Sequence, residues 1–516
     1  MATIRSWLQG AWVSGTGPAV TVVDPTTNAP YAEASTAGLD LRAALAYARD
    51  RGGPALRATT FAARGVMLDA MAAAIHQHRD DLIEVSRASG GTTRGDAKFD
   101  IDGAAGTLAY YAGLGKSLGE RRIVLDGEPD AVLRSKRFAA QHLWVPRHGV
   151  AVHLNAFNFP AWGMAEKAAV ALLAGVPVLS KPATSTAALA VKIVELWNGA
   201  GVLPEGAFSL LVGPVGDLLD HLGPQDCLAF TGGSDTARAI RSHPAVIANN
   251  VRVNVEADSL NASVLAPDVE LGSDTFQMFV NEAARDMLQK AGQKCTAVRR
   301  IFVPAAVADD VIAALVDRLS RSVVGDPGEK GTDVGPVASP AQRDAVRKGL
   351  IELERSAKLV WRAPAPETGC FVPPSLFRSD AGLAAPYVHD HEVFGPVATV
   401  LTYSGEADEA VALVARGGGG LVASVYSDDA GWAAPVVLGL APWHGRIHWG
   451  SGKVHDQSPG PGTVLPNLVH GGPGKAGGGE ELGGLRGLAF YSQRTAIQAD
   501  RALLERALGV TARSEA

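Results

Sequence analysis

From Val150 onward the chain alternates short apolar runs with longer segments that have helical spacing. The apolar runs are GVAVHL, VPVLSKPA, AFSLLVG and CLAFT. Two segments separate the first three runs, MAEKAAVALLAG and TSTAALAVKIVELWNGAG, and both repeat apolar residues at steps of three and four and end in glycine. Strands that alternate with helices predict a parallel, doubly wound α/β sheet.

The same alternation continues after Glu256. A helical segment at about 274–291 precedes the apolar run RRIFVP, and VADDVIAALVDRLSRSV again has helical spacing before Gly325. This pattern predicts a second doubly wound α/β domain that ends near residue 450.

Charge and cysteine content exclude several classes of protein. The formal net charge of the 516 residues is -6, and no long run of like charges occurs, so we expect neither a nucleic-acid partner nor a membrane partner. The N-terminus lacks the apolar stretch of a signal peptide, and the longest uncharged apolar run, 168–180, is too short to span a bilayer. The odd count of three cysteines argues against a disulfide framework and for a reducing compartment. Together these features predict a soluble cytoplasmic protein.

The stretch FTGGSDTARAIR is a candidate phosphate-binding turn. Gly232 and Gly233 lie between an apolar run and a helical segment that begins near Ser234. A helix N-terminus exposed by glycines offers free N–H groups to a phosphate. A tight turn that binds nothing is the alternative, because such turns are common in α/β proteins.

Cys295 is the cysteine with a candidate chemical role. Cys227 lies in an apolar run and is expected to be core packing, and Cys370 lies in a loop and is expected to be inert. Cys295 follows a predicted helix beside Lys294, whose ammonium could favour the thiolate. Local sequence alone leaves both packing and nucleophilic catalysis open.

Two further polar residues end apolar runs. Desolvation of Glu256, after VNV, would raise the pKa of its carboxyl toward that of a general base, although an ion pair or a cap is an equal alternative. Asn158, in AFNFPAWG, could hold a loop or donate to a developing oxyanion. His153, His389, His391 and His448 lack metal-ligand spacing, and we expect no metal.

Taken together, six segments resemble motifs of the aldehyde dehydrogenase superfamily, in the family's order and over nearly the whole chain. They are FNFPAWG, VLSKPATSTA, FTGGSD, VEADSLN, GQKCT and EVFGPV. The resemblance implies an aldehyde-dehydrogenase-like α/β fold with a small β element for oligomerisation. The implied divisions are a cofactor-binding domain (1–123 and 147–255), a catalytic domain (256–465) and an oligomerisation element (124–146 and 466–516) that makes at least a homodimer.

The resemblance also implies roles for individual residues. Cys295 would attack the aldehyde carbon, Asn158 and the Cys295 backbone N–H would hold the oxyanion, and Glu256 would activate water to hydrolyse the thioester. The implied cofactor contacts are at both riboses and the pyrophosphate, from Lys181, Thr184, Gly232, Gly233, Ser234, Glu392 and Phe394.

Two departures from the family pattern refine the expectation. Thr184 stands where many NAD-using members carry a glutamate, and a hydroxyl can donate to a 2′-phosphate that a carboxylate would repel. We therefore expect NADP to be preferred, with NAD used more weakly. EADSLN replaces the common ELGGKS and, with LVHGGPGKAGGGEELGG, resembles a branch that oxidises CoA-linked semialdehydes in aromatic catabolism.

Three alternatives remain beside this interpretation. A CoA-acylating aldehyde dehydrogenase generally lacks the base glutamate, so Glu256 argues against it. A non-catalytic relative would not need Cys295, Glu256 and Asn158 together. A Cys-His hydrolase fits poorly, because no histidine lies in a recognisable base motif.

Overall fold

The computed structural model describes residues 1–131 and 137–508. The strands in these residues are, in chain order, β1 (Ala2–Thr3), β2 (Ser6–Leu8), β3 (Ala11–Val13), β4 (Val20–Val23), β5 (Pro30–Ala34), β6 (Val124–Ala131), β7 (Phe138–Pro146), β8 (Ala151–Leu154), β9 (Val178–Lys181), β10 (Phe208–Leu210), β11 (Cys227–Thr231), β12 (Arg252–Glu256), β13 (Ala262–Leu265), β14 (Arg300–Pro304), β15 (Lys358–Arg362), β16 (Ser375–Ser379), β17 (Val397–Tyr403), β18 (Gly420–Tyr426), β19 (His444–Gly450), β20 (Val469–Gly472), β21 (Gly479–Leu482) and β22 (Ser492–Asp500).

The α-helices of the same residues are α1 (Leu41–Tyr47), α2 (Gly53–Ala58), α3 (Phe61–Gln77), α4 (Arg79–Gly90), α5 (Arg94–Leu118), α6 (Trp162–Ala174), α7 (Ala187–Gly199), α8 (Ser234–Arg241), α9 (Pro244–Ala248), α10 (Asp274–Leu288), α11 (Ala308–Ser320), α12 (Pro340–Ser356), α13 (Pro386–Asp390), α14 (Ala407–Ala415), α15 (Ala430–Leu440) and α16 (Arg501–Leu508). The described part of the chain also contains short 3₁₀ segments and one π-turn, at Ala48–Gly52.

A seven-stranded sheet in the first half of the chain has the order β12-β11-β8-β9-β10-β2-β3. Strands β8 to β12 run parallel to their neighbours, as the sequence predicts, and β2 and β3 add an antiparallel edge. The chain leaves β8 toward β9 and β10 on one side and later returns to β11 and β12 on the other. Such a switch opens a crevice at the carboxyl ends of the central strands, where ligands bind in doubly wound sheets.

A second seven-stranded sheet has the order β15-β16-β17-β14-β13-β18-β19 and is parallel except for β15. This confirms the predicted fold class of two doubly wound α/β units. The domain boundaries themselves stay a prediction.

The C-terminal region contributes to two smaller sheets. Strand β22 pairs with β7, which pairs with β6, in an antiparallel three-stranded sheet. Strands β20 and β21 form an antiparallel pair that contacts β12, β18 and β19. The segment expected to serve oligomerisation therefore also reaches the end of β12, where Glu256 lies. The sequence interpretation placed residues 132–136 and 509–516 in the oligomerisation element, and these lie outside the described residues.

Helix α6 is buried along its whole length between the first sheet and α5. Asp100 on α5 caps its N-terminus by accepting hydrogen bonds from the backbone N–H groups of Ala161 (3.3 Å) and Trp162 (2.8 Å). A helix that is apolar on every side is typical of a protein core. The charged pair Glu166 and Lys167 in this helix is therefore an exception that needs a reason.

In the described residues no single helix is both long and apolar enough to cross a membrane. The segments at 41–58 and 61–77 reach the required length and hydropathy only when they are counted together, and a bend of 113° lies between them.

Candidate active site

Three sequence-predicted residues meet at the carboxyl edge of the first sheet. Asn158 follows β8, Glu256 ends β12, and Cys295 lies in the loop that follows α10. All three line a narrow pocket together with aromatic residues from α5 and the start of α6, and all three also line a larger adjoining cleft. The site therefore has two approaches that meet at Cys295.

The loop that carries Cys295 is held in an unusual backbone conformation. Lys290, Ala291 and Gly292 have φ angles of +56°, +53° and +67°. A left-handed non-glycine residue costs roughly 1–2 kcal/mol, so other contacts must stabilise this turn. One is the hydrogen bond from the Lys290 N–H to Asp96 Oδ1 (3.0 Å).

A second set of contacts fixes the Cys295 backbone. The side-chain amide of Asn261, directly before β13, donates to the carbonyl oxygens of Cys295 (2.7 Å) and Ala297 (2.9 Å). The residues from Lys290 to Arg300 are buried except Cys295, which is half-buried. The loop thus presents a single partly accessible side chain to the pocket.

Lys294 does not act on Cys295 as the sequence suggested. Its ammonium is buried and donates to Asp286 Oδ1 (2.7 Å) and Gln289 Oε1 (3.0 Å). Burial raises the pKa of the Cys295 thiol well above its usual value, and the charge of Glu256 raises it further. The expectation of a thiolate favoured by Lys294 is therefore wrong.

Glu256 also differs from its expected ionisation. Burial, the largest single influence, would raise the pKa of its carboxyl, but the charge and hydrogen bond of protonated His470, together with the charge of Lys167, outweigh burial and hold that pKa at about 2. The His470 Nε2 lies 3.0 Å from Glu256 Oε2. The expectation that desolvation raises the Glu256 pKa toward neutrality is wrong in this arrangement, because a nearby cation overrides desolvation.

A buried charge cluster lies behind these residues. The Lys167 ammonium is 3.3 Å from Glu166 Oε1 and 3.1 Å from Glu481 Oε2, and all three side chains are almost fully buried. Burial raises the pKa of the Glu166 carboxyl to about 7 against the attraction of Lys167. This network explains the two charged residues in α6.

Sequence reasoning missed His470, Glu166, Lys167 and Glu481. The pair of charges inside the apolar segment MAEKAAVALLAG was a usable signal, because buried charges need partners. His470 lies in the glycine-rich segment LVHGGPGK, which carries no motif spacing for a base.

The described residues contain two groups whose spacing could hold a cation. Ligand atoms of Glu256, Cys295 and His470 lie within 4.8 Å of one another, as do those of Glu166, Glu256 and Glu481. Lys167 is already paired with two members of the second group, Glu166 and Glu481. The expected absence of a metal stays a prediction.

The larger cleft, with a volume of about 750 Å³, contains most of the predicted cofactor contacts. Gly232, Gly233, Ser234, Glu392 and Phe394 line it. Gly233 is the N-cap residue of α8, so the helix begins at this cleft, where the Ser234 N–H already donates to Asp258 Oδ1 (3.3 Å). A helix N-terminus suits a pyrophosphate.

The carboxylate predicted to contact a ribose is already paired. Glu392 Oε1 accepts from Arg299 Nε (3.0 Å), and Oε2 accepts from the Ser259 N–H (2.9 Å). Burial raises the pKa of Glu392 to about 7 despite this partner. The guanidinium of Arg299 also lies 5.2 Å from the ring centre of Phe394, so these residues form one packed group.

Lys181 and Thr184 do not line the 750 Å³ cleft. They lie at and just after the end of β9, next to β8 at the same edge of the sheet. Burial lowers the pKa of Lys181 to about 8, and its ammonium has no carboxylate partner in the described part of the chain. A buried ammonium without a counter-ion fits a polar group of a bound dinucleotide.

The other two cysteines are buried and unpaired. Cys227 is 1 % exposed in the first-sheet core, which confirms its predicted packing role. The Cys370 thiol donates to Asn28 Oδ1 (3.0 Å).

Comparison with known proteins agrees with this fold. The sequence model of the "Aldehyde dehydrogenase family" matches residues 12–497. Among solved structures, PnpE in complex with nicotinamide adenine dinucleotide is similar, with a TM-score of 0.83 at 24% identity over 96% of this chain and 97% of that chain. Betaine aldehyde dehydrogenase from Staphylococcus aureus in complex with NAD⁺ is similar at a TM-score of 0.82 and 23% identity, over 96% and 94% of the two chains.

The chain belongs to the aldehyde dehydrogenase family, and it is an NAD(P)-dependent aldehyde dehydrogenase. A curated relative, 3,4-dehydroadipyl-CoA semialdehyde dehydrogenase from Aromatoleum evansii, is 44% identical over 91% of this chain and 93% of its own length. Betaine aldehyde dehydrogenase from Bacillus subtilis is 29% identical over 94% and 95% of the two chains.

Proposed function

We propose that this aldehyde dehydrogenase oxidises 3,4-dehydroadipyl-CoA semialdehyde to the corresponding acid, with NADP as the preferred cofactor. A related CoA-linked semialdehyde of aromatic catabolism is the second candidate. The 44% identical relative supports the substrate. The observation that carries hydrolysis, as opposed to CoA acylation, is Glu256, whose carboxylate opens into the same pocket as Cys295.

The pocket residues divide the reaction between them. The Cys295 sulfur attacks the aldehyde carbon. The Asn158 amide, which makes no hydrogen bond within the described residues, donates to the oxyanion together with the Cys295 N–H. A bound nicotinamide would supply the hydride acceptor, and the acyl group would remain on Cys295 as a thioester. Glu256 then takes a proton from the attacking water, since neither of its oxygens accepts a well-aligned hydrogen bond from the described protein.

The chain's own residues also suit the cofactor. The N–H groups at the start of α8 would bind the pyrophosphate, and Lys181 and Glu392 would bind the riboses. For Glu392 this requires that Arg299 and Ser259 share it with a ribose hydroxyl. The hydroxyl of Thr184 would donate a hydrogen bond to a 2′-phosphate, which a carboxylate would repel.

The remaining assignments belong to the same proposal. We propose a cytoplasmic homodimer with the domain divisions given above. The three free cysteines suit a reducing compartment, and the sheet β22-β7-β6 offers open strand edges for pairing. Light scattering on the full chain checks the dimer.

The substrate test compares the CoA-linked semialdehyde with simple aliphatic aldehydes and identifies the product. We expect free acid, and a kcat/KM for the CoA-linked compound at least about tenfold higher, which corresponds to about 1.4 kcal/mol. A thioester product formed only with added CoA would contradict hydrolysis. Equal use of all aldehydes would contradict the substrate.

The role of Glu256 is tested with Glu256→Gln. We expect the burst of reduced cofactor to persist while steady-state turnover falls about 10²–10⁴-fold, because only the hydrolytic half-reaction loses its base. Equal loss of the burst and of steady-state turnover would count against this role.

The cofactor preference is tested with Thr184→Glu. We expect kcat/KM for NADP⁺ to fall at least about tenfold while that for NAD⁺ changes little, because the added carboxylate repels only the 2′-phosphate. A wild-type enzyme that clearly prefers NAD⁺ would refute the preference.

A further inference from the structure

His470 shares one ring nitrogen between the two central reacting groups. It lies on β20, where its backbone is paired with Glu481 of β21, and its side chain is 5% exposed. Its Nε2 is 3.0 Å from Glu256 Oε2 and 3.7 Å from Cys295 Sγ, a hydrogen-bonding distance for sulfur. Both contacts involve the same nitrogen atom.

Cys295 needs a proton acceptor before it can attack. The thiolate is the nucleophilic form, and burial raises the pKa of this thiol well above its usual value. Lys294 does not stabilise the thiolate, because its ammonium is bound to Asp286 and Gln289. A neighbouring base must therefore remove the proton.

Glu256 acts later in the proposed reaction, when it takes a proton from the attacking water. A separate base for the Cys295 thiol leaves its carboxylate free for that step. His470 is the other basic group that contacts the Cys295 sulfur.

The charges around His470 favour a protonated ring. Burial alone would lower the pKa of the imidazole, but Glu256, Glu166 and Glu481 together raise it. Lys167 opposes them and is itself bound to the last two carboxylates. The neighbouring carboxylates therefore stabilise an imidazolium that forms at His470.

We propose that His470 is the general base that deprotonates Cys295 for attack on the aldehyde. With its own proton on Nδ1, the ring accepts the thiol proton at Nε2, so that the S–H bond breaks and an N–H bond forms. The products are a thiolate and an imidazolium held by the Glu256 carboxylate. The Cys295 sulfur then forms its bond to the aldehyde carbon.

The proton must leave His470 before hydrolysis. It passes toward the neighbouring carboxylates and solvent as the proton that aldehyde oxidation releases. Neutral His470 no longer depresses the basicity of Glu256, which then takes a proton from water. When the acid leaves, that proton returns to the Cys295 thiolate, and the resting site is restored with atoms and charge balanced.

A role limited to holding Glu256 in place is the competing explanation. Glutamine separates the two, because its amide N–H can donate to Glu256 but cannot accept the thiol proton. His470→Gln should therefore keep a hydrogen bond to Glu256 and remove the acceptor for the thiol proton.

The first experiment measures the single-turnover rate of cofactor reduction and the pH dependence of iodoacetamide alkylation. In His470→Gln we expect the single-turnover rate to fall about 10²-fold or more, the usual contribution of a general base. The low-pH limb of the alkylation profile should move to higher pH. If either quantity keeps its wild-type value, His470 is not the base.

Glu256→Gln provides the matched comparison. It should keep a burst, slower than in the wild type because the carboxylate that stabilises the imidazolium is lost, and its steady-state turnover should fall much further. Acylation becomes the slow step in His470→Gln, so the burst should vanish there. This inference rests on Cys295 being the nucleophile of the proposed reaction. Cys295→Ala tests that assignment separately, since turnover that survives in it would refute the proposed mechanism itself.

A second variant guards against a folding defect. His470→Ala should lose the burst and regain it, in a saturable manner, when free imidazole is added to the full-length enzyme. A folded His470→Ala enzyme with a wild-type burst, or one that imidazole cannot rescue, would overturn the proposal.

Discussion

Replacing Lys167 with methionine removes one buried ammonium and leaves two buried carboxylates facing each other. Lys167 is 3% exposed, and its ammonium lies 3.3 Å from Glu166 and 3.1 Å from Glu481. Methionine has a similar length and no charge, so packing is largely kept. The change therefore isolates the electrostatic part of the network.

The expected cost is about 3–5 kcal/mol, the usual effect of removing one partner of a buried ion pair. With an unfolding entropy of about 2.1 cal/mol/K per residue, the 516-residue chain would lose about 1 °C of Tm per kcal/mol if it unfolds as one unit. We expect a Tm decrease of about 3–5 °C at pH 8.

The cost should depend on pH with a definite sign. The folded-state pKa of Glu166 is already raised from 4.5 to about 7, and losing the ammonium raises it further. Because the folded state binds the proton more tightly than the unfolded state, stability falls as the pH rises above 4.5 and through the folded-state pKa. At pH 6 the carboxyl can take up a proton, so the Tm decrease should be smaller there than at pH 8.

Differential scanning fluorimetry at pH 6 and pH 8 measures both effects. Lys192→Met is the matched control, because Lys192 pairs with Glu195 at 3.6 Å on the surface with 41% of each side chain exposed. Such a pair contributes about 0–1 kcal/mol, so its Tm should hardly move. A Lys167→Met decrease no larger than this control, or one equal at both pH values, would refute the reasoning.

Two further variants test the nucleophile loop and the oxyanion donor. Gly292→Ala should abolish activity and lower Tm, because the new Cβ would lie 2.2 Å from the Gly395 carbonyl oxygen. Gly113→Ala in α5 is the control: its Cβ would meet no atom within 4 Å, so this variant should keep activity. Wild-type kcat in Gly292→Ala would contradict this packing. Asn158→Ala should lower kcat about 10²–10³-fold while Cys295 is alkylated at its normal rate, and an unchanged kcat would exclude Asn158 as an oxyanion donor.

The fold follows largely from local sequence. Strands β8 to β12 are short apolar runs and the helices between them have clear spacing, so a parallel sheet could be predicted from pattern alone. Residues that end these strands necessarily reach the carboxyl edge of the sheet. This is why Asn158, Glu256 and the turn at Gly232 could be predicted as site residues.

The ionisation of the site could not be predicted in this way. Neighbours in sequence suggested that Lys294 acts on Cys295, but its ammonium donates to Asp286 on α10. Burial of Glu256 suggested a raised pKa, but His470, from a distant hairpin, reverses the direction. A pKa depends on charges within a few ångströms, and adjacency in sequence does not report them.

The sequence by itself determined the family, the parallel sheets and the residues at the strand ends, because these follow from periodicity and local motifs. Only the tertiary structure decided that β20 and β21 fold back against β12. This places His470 next to both Glu256 and Cys295, and it pairs Glu481 with Lys167. These contacts join segments far apart in the chain. Their energies come from buried charges at short range, which exist only once the chain is packed.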